Sequence, residues 1–520
     1  MRISTAQFYE ASASSYSKNF STMNKTNDQV TSGIRIQTAA DDPVGAARLL
    51  LLQQQQSLLD QYSGNINTVS NALLQEESVL STINDTMQRA SELAIRAGGP
   101  GVTDSDRVAI STELKEIEAN IFGLLNSRDA NGDYMFGGSK STTPPYVRNS
   151  DGTYSYHGDQ TQLSLQVSDT LNLATNDTGF TIFDSASNKS RTQSTLVVPA
   201  TDDGVVGVSS GLMTSSTTYN NSFTAGQPYK LTFTSATQYT ITDASGRDIT
   251  SETATNGTFD SKTEGANSIA LRGVEFEITV TVEEGADADA AVAGREFSLA
   301  ARPDSFNATR NASNTSSAQI TSSTVTDQAA YRSTFPSNGA VIKFTGPGAY
   351  ELYAQPLTAD SKAVATGTYT APALTVAGVT YQVTGSPEAG DQFAVTANTH
   401  QNQNVLETLS QLRAALDTPV TGVGQANALK DAAASAIANL ASAREQVDIT
   451  RGSIGARGNS LEIQRQENTS LGLANKTTQN AIGNTDMSQA AITLTLQQAM
   501  LEASQLAFSR ISQLSLFNKL

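Results

Sequence analysis

Cysteine and tryptophan are both absent from the 520 residues, and there are only two histidines, His157 and His400. No disulfide can form, and thiol catalysis and cysteine-based zinc sites are excluded. Positive charge is scarce: 33 Lys and Arg face 50 Asp and Glu, a formal net charge of −17 at pH 7. That balance argues against nucleic acid and anionic membrane surfaces as partners. No run of about 18 apolar residues occurs, so no membrane-spanning helix is expected. The opening MRISTAQFYEASASSYSKNF lacks the apolar centre of a secretory signal, which suits a cytosolic protein or one exported without a cleaved signal.

Catalytic signatures are missing too. HExxH and P-loop patterns do not occur. DANGD (Asp129, Asn131, Asp133) imitates the start of a calcium loop. Its sixth position is Tyr134 instead of Gly and its twelfth is Lys140 instead of Glu, so it reads as an Asn-Gly turn. Both histidines read as surface residues. Glu275, Glu277 and Asp391 are scattered over strand-like segments with no visible pairing. The expectation is a protein with no catalytic residue, no metal and no cofactor.

Three compositional blocks are present. Residues 1–125 and 400–520 are rich in Ala, Gln and Leu and read as helix. Residues 130–399 are rich in Thr, Gly, Val and aromatics, with alternating runs such as YKLTFT and EFEITVTV that read as strand. At this length about three or four domains are expected.

The helical blocks carry heptads. Tyr9, Tyr16, Met23 and Val30 recur every seven residues, with Ala13, Phe20 and Ile34 on the complementary position, which Asn27 interrupts. Leu59, Tyr62, Ile66, Val69, Leu73, Leu80, Ile83, Met87, Ala90 and Ala94 alternate three and four apart, and only Glu76 is out of place. Such a seam predicts a long coiled-coil helix of roughly 50 Å. Leu440, Val447, Ile454 and Leu461 form a further series, and Met487, Leu494, Leu501 and Phe508 another, with Ile511 and Leu514 beyond it. These seams are too long and thin for a globular core. The terminal stripes are therefore candidates for helix pairing and assembly. Between the first two helices, Asp42 precedes Pro43, the N-cap and first-turn residues of a helix start; a capping role outweighs carboxylate-pair chemistry with Asp41.

The β block repeats itself. Phe233 and Tyr239 have the spacing of Phe344 and Tyr350; GVEFEIT (273–279) matches GVTYQVT (378–384); GREFSL (294–299) matches GDQFAV (390–395). Two related modules are expected at 190–305 and 331–398, joined by a polar linker at 306–330. The predicted fold is α+β. Residues 1–42 with 484–520 form a terminal coiled coil. Residues 43–189 with 399–483 form a helical rod domain carrying a β-hairpin region, and the two modules point outward.

Several stretches carry a family resemblance: MRIST, QVTSGIRI followed by ADDP, LLQEESVLSTINDTMQRASELAIRAGGP, DRVAISTELKEIEANIFGLLNS, and the C-terminal SIGARGNSLEIQRQENTSLGLANKTTQNAIGNTDMSQAAITLTLQQAMLEASQLAFSRISQLSLFNKL. Together they resemble the two ends of the bacterial flagellin family. MRISTAQFYEAS, GDYMFGGSKSTTPPYV and the C-terminal LQQAMLEASQLAFSRISQLSLFNKL look more like the family's hook–filament junction branch. The Ile-Asn-Thr-Asn opening usual in flagellin itself is missing. The resemblance implies an extracellular adaptor that links hook-associated protein 1 to the first flagellin subunits, with the filament subunit as the alternative. It further implies self-association in a ring, export by the flagellar type III system without a cleaved signal, and a cytoplasmic export chaperone on the C-terminal helix. The β modules are outside what it explains. An adhesin would need a signal peptide or membrane anchor, and an enzyme a convergent polar site.

Overall fold

The computed structural model describes residues 5–149, 152–262 and 267–517, without the side chains of residues 5, 6, 8, 9 and 511–517. The fold is α+β, with long helices at both ends and a β-rich middle. Packing divides the chain into two compact units. One comprises residues 1–74, 164–175 and 454–520; the other comprises 75–163 and 176–453.

In the first unit, helix α1 (Thr5–Ser32) ends where Gly33 adopts φ +71° and its N–H bonds Gln29 O at 2.9 Å. Only glycine takes that left-handed cap without strain. Helix α2 (Pro43–Gly98) follows. Residues 43–74 of α2 belong here, and so do residues 454–483 of α5 (Val423–Gly483) and the last helix, α6 (Met487–Phe517); the rest of α2 and α5 lies in the second unit. All ten seam residues of α2 from Leu59 to Ala94 are buried, as are Leu440, Val447, Ile454 and Leu461 of α5. Polar ties fix how α2 and α5 run past each other here. Asn468 Nδ2 donates to Leu59 O at 2.8 Å and Asn475 Nδ2 to Leu52 O at 2.9 Å, seven residues apart on each helix and in opposite directions. A short hairpin, β3 (Ser164–Gln166) with β4 (Asn172–Ala174), leans on the same pair. Asn65 Nδ2 reaches Gln166 O at 2.7 Å, and the Tyr62 hydroxyl reaches Asp169 Oδ1 at 2.8 Å.

In the second unit, helix α3 (Asp104–Leu125) starts with a capping box between Thr103 and Asp106 and packs on α4 (Val405–Asp417). Glu118, almost fully buried, accepts from Arg413 Nε at 3.0 Å and from the Tyr154 hydroxyl at 2.5 Å. Tyr154 lies in β2 (Tyr154–Tyr156), which pairs with β1 (Tyr146–Arg148). Glu76, the residue out of place in the α2 seam, is buried because its Oε1 accepts the Asp177 N–H at 3.1 Å.

The two β modules share a strand pattern. The first contains β5 (Thr192–Val198), β6 (Val206–Val208), β7 (Leu212–Met213), β8 (Tyr229–Ser235), β9 (Gln238–Thr242), β10 (Ser268–Leu271), β11 (Val274–Val280) and β12 (Glu296–Ala301). Its sheets run β5-β12-β8-β9 and β10-β11-β6, with β7 also on β11. The second contains β13 (Ser305–Arg310), β14 (Gln319–Val325), β15 (Ala340–Gly346), β16 (Ala349–Ala354), β17 (Ala363–Thr368), β18 (Ala373–Val376), β19 (Val379–Thr384) and β20 (Gln392–Asn398). Its sheets run β13-β20-β15-β16-β17 and β14-β19-β18. Phe233 pairs across from Tyr239, and Phe344 from Tyr350, each pair followed by a register shift. The turns Arg272-Gly273 and Ala377-Gly378 both have positive φ at both residues, the conformation of a two-residue hairpin whose twist matches its strands. Each module has its own core, around Phe233, Tyr239 and Phe276 in one and Phe344, Tyr350 and Phe393 in the other.

The structure corrects the linker. Residues 305–310 pair with β20 and residues 319–325 with β19, and a helix over Gln328–Thr334 follows. These are the counterparts of β5, of β6 and β7, and of the helical turns over 216–226. The second module therefore begins at 305, directly after β12.

The first module seats on α5 along one helical face. Gly204 lies against Val423, Gly207 against Asn427 and Gly424 against Asp202; a Cβ on Gly207 would stand 2.6 Å from Asn427 Nδ2. The Ser210 N–H bonds Asp431 Oδ2 at 2.8 Å, and Asn439 Oδ1 accepts from Lys189 N at 2.6 Å.

Candidate assembly surface

The Asp41-Asp42 loop is built for structure. Asp42 Oδ1 accepts from the Gly45 N–H at 2.9 Å, the third residue of α2, and Pro43 occupies the first turn, where no N–H is needed. Asp41 Oδ2 accepts from Gln37 N at 3.1 Å, Thr38 N at 2.8 Å and the Thr38 hydroxyl at 3.1 Å, while its other oxygen meets Lys25 Nζ at 2.5 Å. The Lys25 ammonium, with the Thr38 N–H, holds the Asp41 carboxyl down at about 2. The Gly45 N–H holds the Asp42 carboxyl below its ordinary value, helped by the Arg35 guanidinium. Neither acid has an oxygen poised over an open pocket.

Helices α1 and α6 pack on each other. Gln505 Nε2 donates to the Tyr16 hydroxyl at 3.1 Å and Asn19 Nδ2 to Ser504 Oγ at 3.2 Å. Leu501 is buried at 8% exposure; Tyr16, Met23, Val30, Leu494 and Phe508 are half-buried. Phe20 is 45% exposed and Met487 50% exposed; Phe20 stacks on Tyr16 with ring centroids 6.5 Å apart. The side chains of Tyr9, Ile511 and Leu514 lie outside the described residues. On α6, Ile492, Leu496, Met500 and Leu506 are also exposed. The helix thus has apolar residues on more than the face that α1 covers. An exposed apolar stripe of this extent on a paired helix is a candidate association surface.

Other candidates carry less. Among the described residues no group of three or more His, Asp or Glu could hold a metal ion, and no helix is long and apolar enough to cross a membrane. Asp129 Oδ1 accepts from Asn131 N at 2.8 Å and Asp133 N at 2.9 Å, closing a turn on itself. Asp391 is buried and accepts from Glu388 N at 2.8 Å and from the Ser316 hydroxyl. His157 is exposed, but His400 is half-buried, with Nε2 3.0 Å from Pro303 O; burial, with Arg302 adding, pushes its pKa down. Glu275 and Glu277 line a cleft of about 610 Å³ with Asp431, whose carboxyl is pushed up by burial. Sequence reasoning missed Arg35, which besides Asp42 binds the Ile482 carbonyl, 447 residues away along the chain.

The chain thus combines paired terminal helices, an exposed apolar stripe on one of them and two related β modules inserted between. Residues 3–141 match the family described as the bacterial flagellin N-terminal helical region. It is 32% identical over 185 residues to flagellar hook-associated protein 3 of Salmonella typhimurium, covering 36% of this chain and 57% of that one. The chain thus spans little more than half the length of that relative. Flagellin of Bacillus subtilis is 28% identical over 138 residues, 26% of this chain and 45% of that one. The crystal structure of hook-associated protein-3 from Legionella pneumophila aligns over 83% of this chain and 98% of its own, with 21% identity and a TM-score of 0.47.

Proposed function

We propose that this chain is a structural adaptor at the hook–filament junction of the bacterial flagellum. It links hook-associated protein 1 to the first flagellin subunits and performs no catalysis. The observation that carries this reading is the length of the match to hook-associated protein 3, 185 residues against 138 for the Bacillus subtilis flagellin. In this reading the terminal stripes (Tyr9, Tyr16, Phe20, Met23 and Val30; Met487, Leu494, Leu501, Phe508, Ile511 and Leu514) bury themselves against neighbouring subunits in a ring. Each Leu, Met or Phe so covered contributes about 1.5–3 kcal/mol before ordering entropy opposes it. Before assembly, a cytoplasmic chaperone shields the C-terminal helix, and the chain leaves through the flagellar type III system without a cleaved signal. Immuno-electron microscopy with antibody to the β modules tests the assignment. One short labelled zone at the distal end of the hook is expected. Label along the whole filament would make the chain a filament subunit instead.

A further inference from the structure

We propose that a cleft in the first β module binds a neutral saccharide of one or two sugar rings, a role separate from the junction assignment. The two modules differ where a pair of strands meets. In the second, β13 packs on β14. In the first, the counterpart strands β5 and β6 both line the cleft of about 610 Å³, through Ser194 and Leu196 of β5 and Val206 and Val208 of β6. That volume falls within the roughly 300–1,000 Å³ that small-molecule sites span. Asn427 and Asp431 of α5 complete the wall.

The polar groups of the cleft are left open. Ser194 Oγ is buried and has no hydrogen-bond partner. Glu277 accepts from Asn267 Nδ2 at 3.0 Å and Glu275 from the Ser268 hydroxyl at 2.7 Å, each through Oε1 alone. Asp431 uses only Oδ2, on the N–H and hydroxyl of Ser210. Among the described residues none of these three carboxylates forms an ion pair. At the matching registers the second module carries Ala308 for Ser194, Thr380 for Glu275 and Gln382 for Glu277. Ala308 packs on that module's core, and the Thr380 hydroxyl meets that of Thr375 at 2.8 Å. The orphaned hydroxyl and both acids are therefore confined to the module whose strands stay apart. Carboxylate oxygens accept from O–H groups more strongly than neutral acceptors do, and a serine hydroxyl and an asparagine amide can both donate and accept. Leu196, Val208 and Leu212 offer an apolar wall beside them. A sugar ring presents the complement, several hydroxyls around an apolar C–H face. The acids disfavour an anion, and Lys430 on the same cleft disfavours an amine.

Saturation-transfer difference NMR on the full-length protein tests the site, with D-glucose, D-galactose, D-mannose, N-acetyl-D-glucosamine, lactose and maltose as probes. At least one should receive saturation at its ring C–H protons. Ser194→Ala should weaken that sugar by about 2- to 12-fold, the worth of one neutral hydrogen bond, and Glu277→Gln by about tenfold or more. The triple variant Ser194→Ala, Glu275→Thr, Glu277→Gln installs residues that the second module already holds at these registers. It should keep the parent's unfolding midpoint and lose the signal. If it unfolds, Glu277→Gln decides alone, being isosteric and exposed, and an unchanged affinity then overturns the inference. Silence with every sugar, or a signal that survives in the folded triple variant, overturns it as well. So does binding of putrescine without any sugar, which would make the cleft a cation site.

Discussion

Excising the second β module alone should leave the rest of the protein folded and slightly more stable. Its first and last strands pair with each other, Ser305 opposite Asn398, so its two ends leave side by side. His400 Nε2 on Pro303 O at 3.0 Å holds the stumps together just outside the module. Joining Asp304 to Thr399 through a short Gly/Ser linker therefore demands no rearrangement. The module's core shares no residue with that of the first module. Replacing roughly 90 residues by about six is some four halvings of a loop, and at about 0.6 kcal/mol for each the unfolded chain loses up to ~2.5 kcal/mol of closure entropy. The expected change in unfolding free energy lies between zero and that value. Urea unfolding followed by far-UV circular dichroism measures it, and residues 305–398 expressed alone should unfold in a single cooperative transition. Destabilisation of the remainder by more than about 2 kcal/mol, a magnitude typical of core damage, would refute the independence of the module.

Four further outcomes follow from named contacts. Leu501→Asp removes about 1.5–3 kcal/mol of burial and places a carboxylate in the α1–α6 contact at a further cost of several kcal/mol; amide exchange in both helices should rise sharply while the β modules stay protected. Gly378→Ala imposes about 1–2 kcal/mol of left-handed strain, and its Cβ would run into Asp327 O, so the second module should melt earlier and the first should not. The Asp41 carboxyl, depressed from 3.8 to about 2, favours the folded loop at every pH above 3.8 and loses that contribution as pH falls toward 2; carboxyl NMR titration should find the low value, and Lys25→Met should raise it. The Tyr154 phenol, pushed up to about 12 by burial and then by Glu118, contributes stability below pH 10 that is lost as pH rises through 12; Tyr154→Phe should remove one phenol from the late-titrating group of tyrosines in ultraviolet titration.

The long helices were legible because burial on a coiled-coil helix repeats every seven residues, and each seam position of α2 named from the sequence is buried. The module repeat was legible at Phe233 and Phe344, where a strand lies in a core and its side-chain type is constrained. It was illegible at β13 and β14. Asn307, Thr309 and Arg310, and Gln319, Thr321 and Ser322, have mostly exposed side chains, so these strands have the composition of a linker while their backbones pair. Glu76 broke the heptad for a reason no periodicity contains, a backbone N–H arriving from residue 177. Arg35 gives little local signal either: besides nearby Asp42, its side chain donates to the main-chain carbonyl of Ile482, and every residue has a carbonyl.

Asn468 and Asn475 were described as ties between α2 and α5, and they also constrain how this protein can change length. Each amide meets a main-chain carbonyl across the seam, and the two bonds are spaced alike on both helices. Sliding one helix by a single turn would move both amides off their carbonyls at once and leave polar groups within an apolar seam, at about 1–3 kcal/mol for each. A heptad inserted into α2 beyond Leu59 must therefore be answered by a heptad in α5 before Asn468. The two halves of the helical pair, more than four hundred residues apart in the chain, are bound to lengthen or shorten together.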